Sequence, residues 1–149
     1  MKNYKFGFDI QAFLIFFVIM IPNLIWFFQP APHDILRQTS RTSTIDILAS
    51  VFQGIMIVLL CLIKRPNAQR SSIHNIKILL CMISIGLYFL CWILYYLGYT
   101  DAWVILCLAF LPCFAFLSYE SLRNNYLAMI PTLIFAFLHC LATGINFIY

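Results

Sequence analysis

Side chains able to do specific chemistry gather in one stretch of this chain, PNLIWFFQPAPHDILRQTSRTSTIDILASVFQ, at 22–53. It leaves one apolar run, crosses a polar connector holding His33, Asp34, Arg37 and Arg41, and re-enters a second apolar run at Asp46. Asp34 and Arg37 are three apart, a spacing that brings two side chains to one face of a helical turn. A guanidinium can grip a carboxylate or phosphate through two bonds, so His33, Asp34, Arg37 and Arg41 form a candidate outer recognition loop. The plainer account is a solvated loop with surface pairs worth about 0–1 kcal/mol.

Recognisable catalytic patterns are missing. No nucleophile stands beside a base, and the chain has no HExxH, no paired-histidine metal motif and no glycine-rich phosphate loop. No catalytic, cofactor-binding or metal-ligating residue is therefore assigned, and no cofactor is expected. His33, Asp34, Arg37, Asp46 and His139 still include acids, bases and anion binders, so a membrane-embedded enzyme stays as the lesser alternative. The six cysteines (61, 81, 91, 107, 113 and 140) all lie within or at the ends of apolar runs, with no CxxC and no zinc spacing. They read as small, soft packing residues.

The elements that must position these groups follow from composition. The 149 residues are 64% hydrophobic and 9% charged, with a mean hydropathy of +0.95. Soluble domains average about 45–50% apolar and about 25% charged, so the lipid bilayer must be the solvent and first partner. The pattern predicts an all-α integral membrane bundle, a single polytopic domain over 1–149 with spans at about 10–28, 45–63, 76–97, 102–118 and 126–147. The first run could be mistaken for a secretory signal, but Trp26-Phe27-Phe28 stands where a small-residue cleavage site should be. In the connector, Pro30 and Pro32 fix an extended exit from the first span. His33 to Gln38 is then expected as a short interfacial helix. Ser40, Thr42, Ser43 and Thr44 supply N-cap side chains for the second span, with Asp46 in its first turn, at the positive helix end. The fourth span contains Pro112, and at roughly 27 Å it only just crosses the hydrocarbon; Glu120 to Asn125 is read as the turn after it.

Lysine and arginine placement sets orientation. With the N-terminus cytoplasmic, the inner side holds Lys2, Lys5, Lys64, Arg65, Arg70, Lys77 and Arg123, and the outer side only Arg37 and Arg41. Seven against two predicts that the connector and the C-terminus are extracytoplasmic. Trp26, Tyr99, Trp103 and Tyr149 then fall at the outer boundary, where amphipathic rings prefer to lie. The basic residues make no stripe, which excludes nucleic acid as a partner.

Polar residues inside the spans recur at helical spacing. The second span carries Asp46, Ser50 and Gln53; the third Cys81, Ser84, Tyr88, Cys91 and Tyr95; the fifth Thr132, His139, Thr143 and Asn146; Asn23 lies in the first. Polar groups in hydrocarbon turn inward to partners or water, so these stripes are expected to face one another. The expectation is a one-sided pocket of Asn23, Asp46, Ser50, Gln53, Tyr88, Tyr95, His139, Thr143 and Asn146, opening outward beneath the connector with Gln53 and His139 at its floor. The alternative is packing glue, in which such residues hold helices together at about 1 kcal/mol each; for His139 that means a bond to Gln53 or a backbone carbonyl.

An exporter of antiparallel dimers wants little charge bias and a carboxylate within a span, whereas this chain shows strong bias and no mid-membrane Asp or Glu. A channel lacks polar continuation through the inner half, and five spans do not divide into equal inverted repeats. The sequence therefore points to a small binding or accessory protein that holds a lipid, a peptide or a membrane-protein partner through an outward-facing polar pocket. The alternative is a small-solute carrier working as a homo-oligomer. The Lys/Asn-rich start suggests a bacterial cytoplasmic membrane as the location.

Overall fold

The protein is represented by a computed structural model, which describes residues 4–65 and 74–148. It is an all-α bundle of five long helices: α1 (Ile10–Phe28), α2 (Ser43–Leu62), α3 (His74–Tyr96), α4 (Ala102–Arg123) and α5 (Tyr126–Phe147). All five are long and apolar enough to cross a membrane, which makes this a multi-pass membrane protein. Lys2, Tyr149 and most of the basic connector, 66–73, lie outside the described residues. Neighbouring helices pack in the order α2–α5–α4–α3, and α1 lies more sparsely against α2, α3 and α4. Large apolar side chains such as Phe17, Val58, Ile93 and Phe137 point outward, as a bundle dissolved in lipid permits. The inner face of α3 is the stripe Cys81, Ser84, Tyr88, Cys91 and Tyr95, all buried. All six cysteines are free thiols.

α1 and α5 coincide with the expected first and fifth spans, and α2 and α3 begin two residues before expectation. α4 requires a correction. The expected span 102–118 ended at the drop in hydropathy, yet the helix runs to Arg123 and takes Glu120 into its last turn. Its end is set by Asn124, which adopts the left-handed conformation (φ 52°). The Asn124 N–H then bonds the Ser121 carbonyl, and the Asn125 N–H bonds the Glu120 carbonyl at 2.9 Å, a closure that satisfies carbonyls the helix cannot use itself. Asparagine tolerates that conformation where most residues do not.

The expected interfacial helix at His33 to Gln38 is also shorter than anticipated: only a single 3-10 turn, Ile35–Arg37, forms. Thr42 occupies the N-cap position of α2 without a side-chain bond to the helix backbone. At the opposite end, strand β1 (Lys5–Phe6) pairs antiparallel with strand β2 (Ile63–Lys64). Beside this ladder the Gly7 and Asp9 N–H groups reach the Leu62 and Cys61 carbonyls at 2.9 and 2.7 Å. The last carbonyls of a helix have no partner within it, and a bilayer supplies none.

Candidate functional site

At the connector end the chemistry is inward. Asp34 is the hub: its carboxylate accepts from Trp26 Nε1 and from Tyr95 Oη, each at 2.8 Å, and lies 3.1 Å from Arg37 Nε. Tyr95 Oη in turn accepts from the Leu36 N–H at 3.2 Å. Arg37 Nη2 donates to the Trp26 and Phe27 carbonyls at 2.8 and 2.9 Å, and its guanidinium lies 4.9 Å from the Trp26 ring centre. A cation that bonds the last carbonyls of a helix also meets the negative end of its dipole. Asp34 and Arg37 thus fasten the connector to α1 and α3, and the guanidinium proposed as an anion grip is already engaged. His33 is exposed and rests on Gly98. Gly98 has φ 97°, and a Cβ there would come within 3.3 Å of the His33 ring. Arg41 contributes its backbone N–H to Asn146 Oδ1 at 2.7 Å.

A second clasp joins the connector to α2 and α5. Asn146 Nδ2 donates to Thr42 Oγ1 at 2.6 Å and to Ser40 Oγ at 3.2 Å. Ser40 Oγ also donates to Asp46 in a short bond, and Thr42 Oγ1 stands 3.4 Å from both Asp46 oxygens.

Beneath these clasps lies a cavity of about 620 Å³ between α1, α2, α4 and α5, reached by Tyr88 from α3. Its polar wall is Asn23, Asp46, Ser50, Gln53, Tyr88 and His139. Asn23 Nδ2 donates to Tyr88 Oη at 2.7 Å, and Ser50 Oγ donates to the Asp46 carbonyl at 2.8 Å. His139 stacks on Phe135, with ring centres 5.1 Å apart; among the described residues it bonds neither Gln53 nor a carbonyl. Trp26 and Asp46 lie toward the connector, whereas Ile19, Phe116 and Phe135 close the far side with apolar surface. Of the other residues expected in the pocket, Thr143 lines an adjoining cavity of about 210 Å³ that shares Asn23, Trp26 and His139. Tyr95 and Asn146 line neither and hold the connector instead.

The basic end is closed by different contacts, several of which the sequence reading missed. Asp9 caps α1 through its bonds to the Gln11 and Ala12 N–H groups and pairs with Arg123 Nη2 at 2.9 Å. Asn125 Nδ2 reaches the Leu59 and Ile63 carbonyls at 3.2 and 3.0 Å, and its Oδ1 accepts from the Ala128 N–H. Glu120 is fully buried; one carboxyl oxygen accepts from Thr132 Oγ1 at 2.6 Å. Its other oxygen and the buried Tyr119 hydroxyl have no partner among the described residues. The spacing Glu120–Thr132 across two helices carries no periodic signal. Only the unbroken helical pattern of YESLR, if read past the hydropathy drop, would have placed Glu120 inside. Comparison with protein families, curated proteins and solved structures gives no match, so function is argued from this geometry.

Proposed function

We propose that this protein is a small binding or accessory protein of the cell membrane, holding a ligand or partner segment in the cavity beneath the connector. The observation that carries the reading is the cavity itself. It holds about 620 Å³, with six polar side chains on its wall and apolar residues on the side away from the connector. Ligand sites are commonly about 300–1,000 Å³ with a few placed polar groups. Packing glue would have drawn these side chains into mutual contact, yet Gln53 and His139 face open volume instead. The lysine and arginine bias supports an outward-facing mouth and a cytoplasmic N-terminus, in a bacterial cytoplasmic membrane.

Native mass spectrometry of the protein released from its own membrane in mild detergent tests this. A retained lipid, small molecule or second protein at fixed stoichiometry is the expected result; a bare chain at every detergent condition would sink it. A cysteine at Gln38 should react with an impermeant thiol reagent from outside, and one at Asn67 should not.

A second reading, a small-solute carrier working as an oligomer, is supported by Glu120. A buried carboxyl inside a spanning helix is costly and is the sort of group that carries protons in transporters. The carrier reading expects solute uptake by vesicles holding the purified protein alone, abolished by Glu120→Gln; the binding reading expects none.

A further inference from the structure

The charge around the cavity narrows its ligand. Of the five carboxylates in the chain, Asp9 and Asp34 are paired with arginines. Asp101 is exposed at the start of α4 and Glu120 is buried at the basic end. Asp46 alone lines the cavity, and among the described residues no cation pairs with it. Its bonds come from the neutral hydroxyls of Ser40 and Thr42, which leave acceptor positions of the carboxylate unfilled. No lysine or arginine lines the wall.

The neutral groups add acceptors beside this carboxylate. Ser50 spends its hydrogen on the Asp46 carbonyl, so its oxygen is left to accept. Asn23 spends one N–H on Tyr88, which leaves its carbonyl oxygen and its second N–H. Pro112, also on the wall, has no N–H to give the Leu108 carbonyl. The aromatic rings of Trp26, Tyr88, Phe116 and Phe135 complete the lining; Arg37 already lies over Trp26 and His139 stacks on Phe135, so Tyr88 and Phe116 are the rings left to attract a ligand cation. A carboxylate with no cationic side chain paired to it among the described residues, free acceptor oxygens beside it and aromatic rings on the wall are complementary to one ligand class.

We propose that the cavity binds a lipophilic organic cation, an ammonium or equivalent onium centre on an apolar body, with Asp46 as its counter-ion. This rests on the reading of the cavity as a binding site. The charge is the decisive feature, because an anion of the same shape meets Asp46 with no arginine or lysine to offset it.

Tetraphenylphosphonium and tetraphenylborate, nearly identical in shape and opposite in charge, separate the two claims. Each is titrated separately into the purified protein in mild detergent, and the unfolding temperature is followed by tryptophan fluorescence; a ligand that binds only the folded state raises it. The expected result is a saturable rise with tetraphenylphosphonium, none with tetraphenylborate, and a half-saturating concentration at least tenfold higher in Asp46→Asn. Asp46→Glu keeps the charge and should retain binding within about threefold. Should Asp46→Asn fail to fold, Ser50→Leu, which crowds the carboxylate without altering it, should show the same tenfold loss. A rise with tetraphenylborate, or an unchanged response in Asp46→Asn, overturns the cation assignment while leaving the cavity a binding site. No rise with either ion overturns the cation assignment, and a bare chain in native mass spectrometry then overturns the binding reading as well.

Discussion

At the connector end, Asp34 and Asn146 stitch a loop across the top of the bundle and leave about 620 Å³ open beneath it. At the basic end, Asp9, Asn125, Glu120 and a short β ladder draw α1, α2, α4 and α5 together. Both ends satisfy helix-terminal backbone groups, as any membrane helix must. They differ in what does it. The basic end uses short contacts between helix ends, whereas the connector end uses a loop that spans the gap, and a gap held apart by a loop can be a site. The polar residues of the spans follow this division: six of them line open volume, while Glu120 and Thr132 meet each other.

The comparison can be broken by mutation. Asp34→Ala should have the largest effect, because it leaves Trp26 Nε1, Tyr95 Oη and Arg37 without their shared acceptor at a site only 10% exposed. A loss of about 3 kcal/mol is expected, measured by unfolding in mixed micelles; a loss below about 1 kcal/mol would show that the connector is not what holds this end. Asn125→Ala at the opposite end removes three bonds, to α2, β2 and α5. A cost of about 2 kcal/mol, at the upper range for a helix cap, is expected from the same measurement.

Glu120 and Thr132 should respond asymmetrically. Thr132→Val strips the buried carboxyl of its one bonded partner among the described residues and should cost about 1–3 kcal/mol. Glu120→Met replaces a carboxyl that already has one unpartnered oxygen and should be neutral or stabilising. Equal destabilisation by both would mean that the carboxyl is needed structurally. The smallest effect on stability belongs to the cavity wall. Gln53→Leu and His139→Leu remove side chains without bonded partners among the described residues, so folded yield and unfolding midpoint should stay within about 0.5 kcal/mol of the parent. Retention of the native ligand should nevertheless fall, and loss of folded protein in step with ligand would make these residues glue.

Helix count and the extents of α1 and α5 were legible in the sequence because hydrophobic length is a one-dimensional property: about 20 apolar residues span a bilayer wherever they occur. The inward face of α3 was legible for a related reason, since helical periodicity places Cys81, Tyr88 and Tyr95 on one side regardless of what packs there. The end of α4 was not, because hydropathy falls at Glu120 while the helix continues to Arg123. What sustains that last turn is a set of partners far away in the chain: Thr132 for Glu120, Lys77 for the Ser121 carbonyl and Asp9 for Arg123.

The polar stripes show the same limit. Periodicity showed that Tyr95, Thr143 and Asn146 share faces with Tyr88 and His139, but not which of them would find a partner. Tyr95 and Asn146 meet the connector, Asn23 bonds Tyr88, and Gln53 and His139 line the cavity without a bonded partner among the described residues. Sequence by itself determined the solvent, the number of helices and the face each turns inward, since these follow from local composition and a fixed helical period. Tertiary structure alone decided which polar groups are spent on one another and which remain free, because hydrogen bonding depends on distances between helices that no single helix encodes.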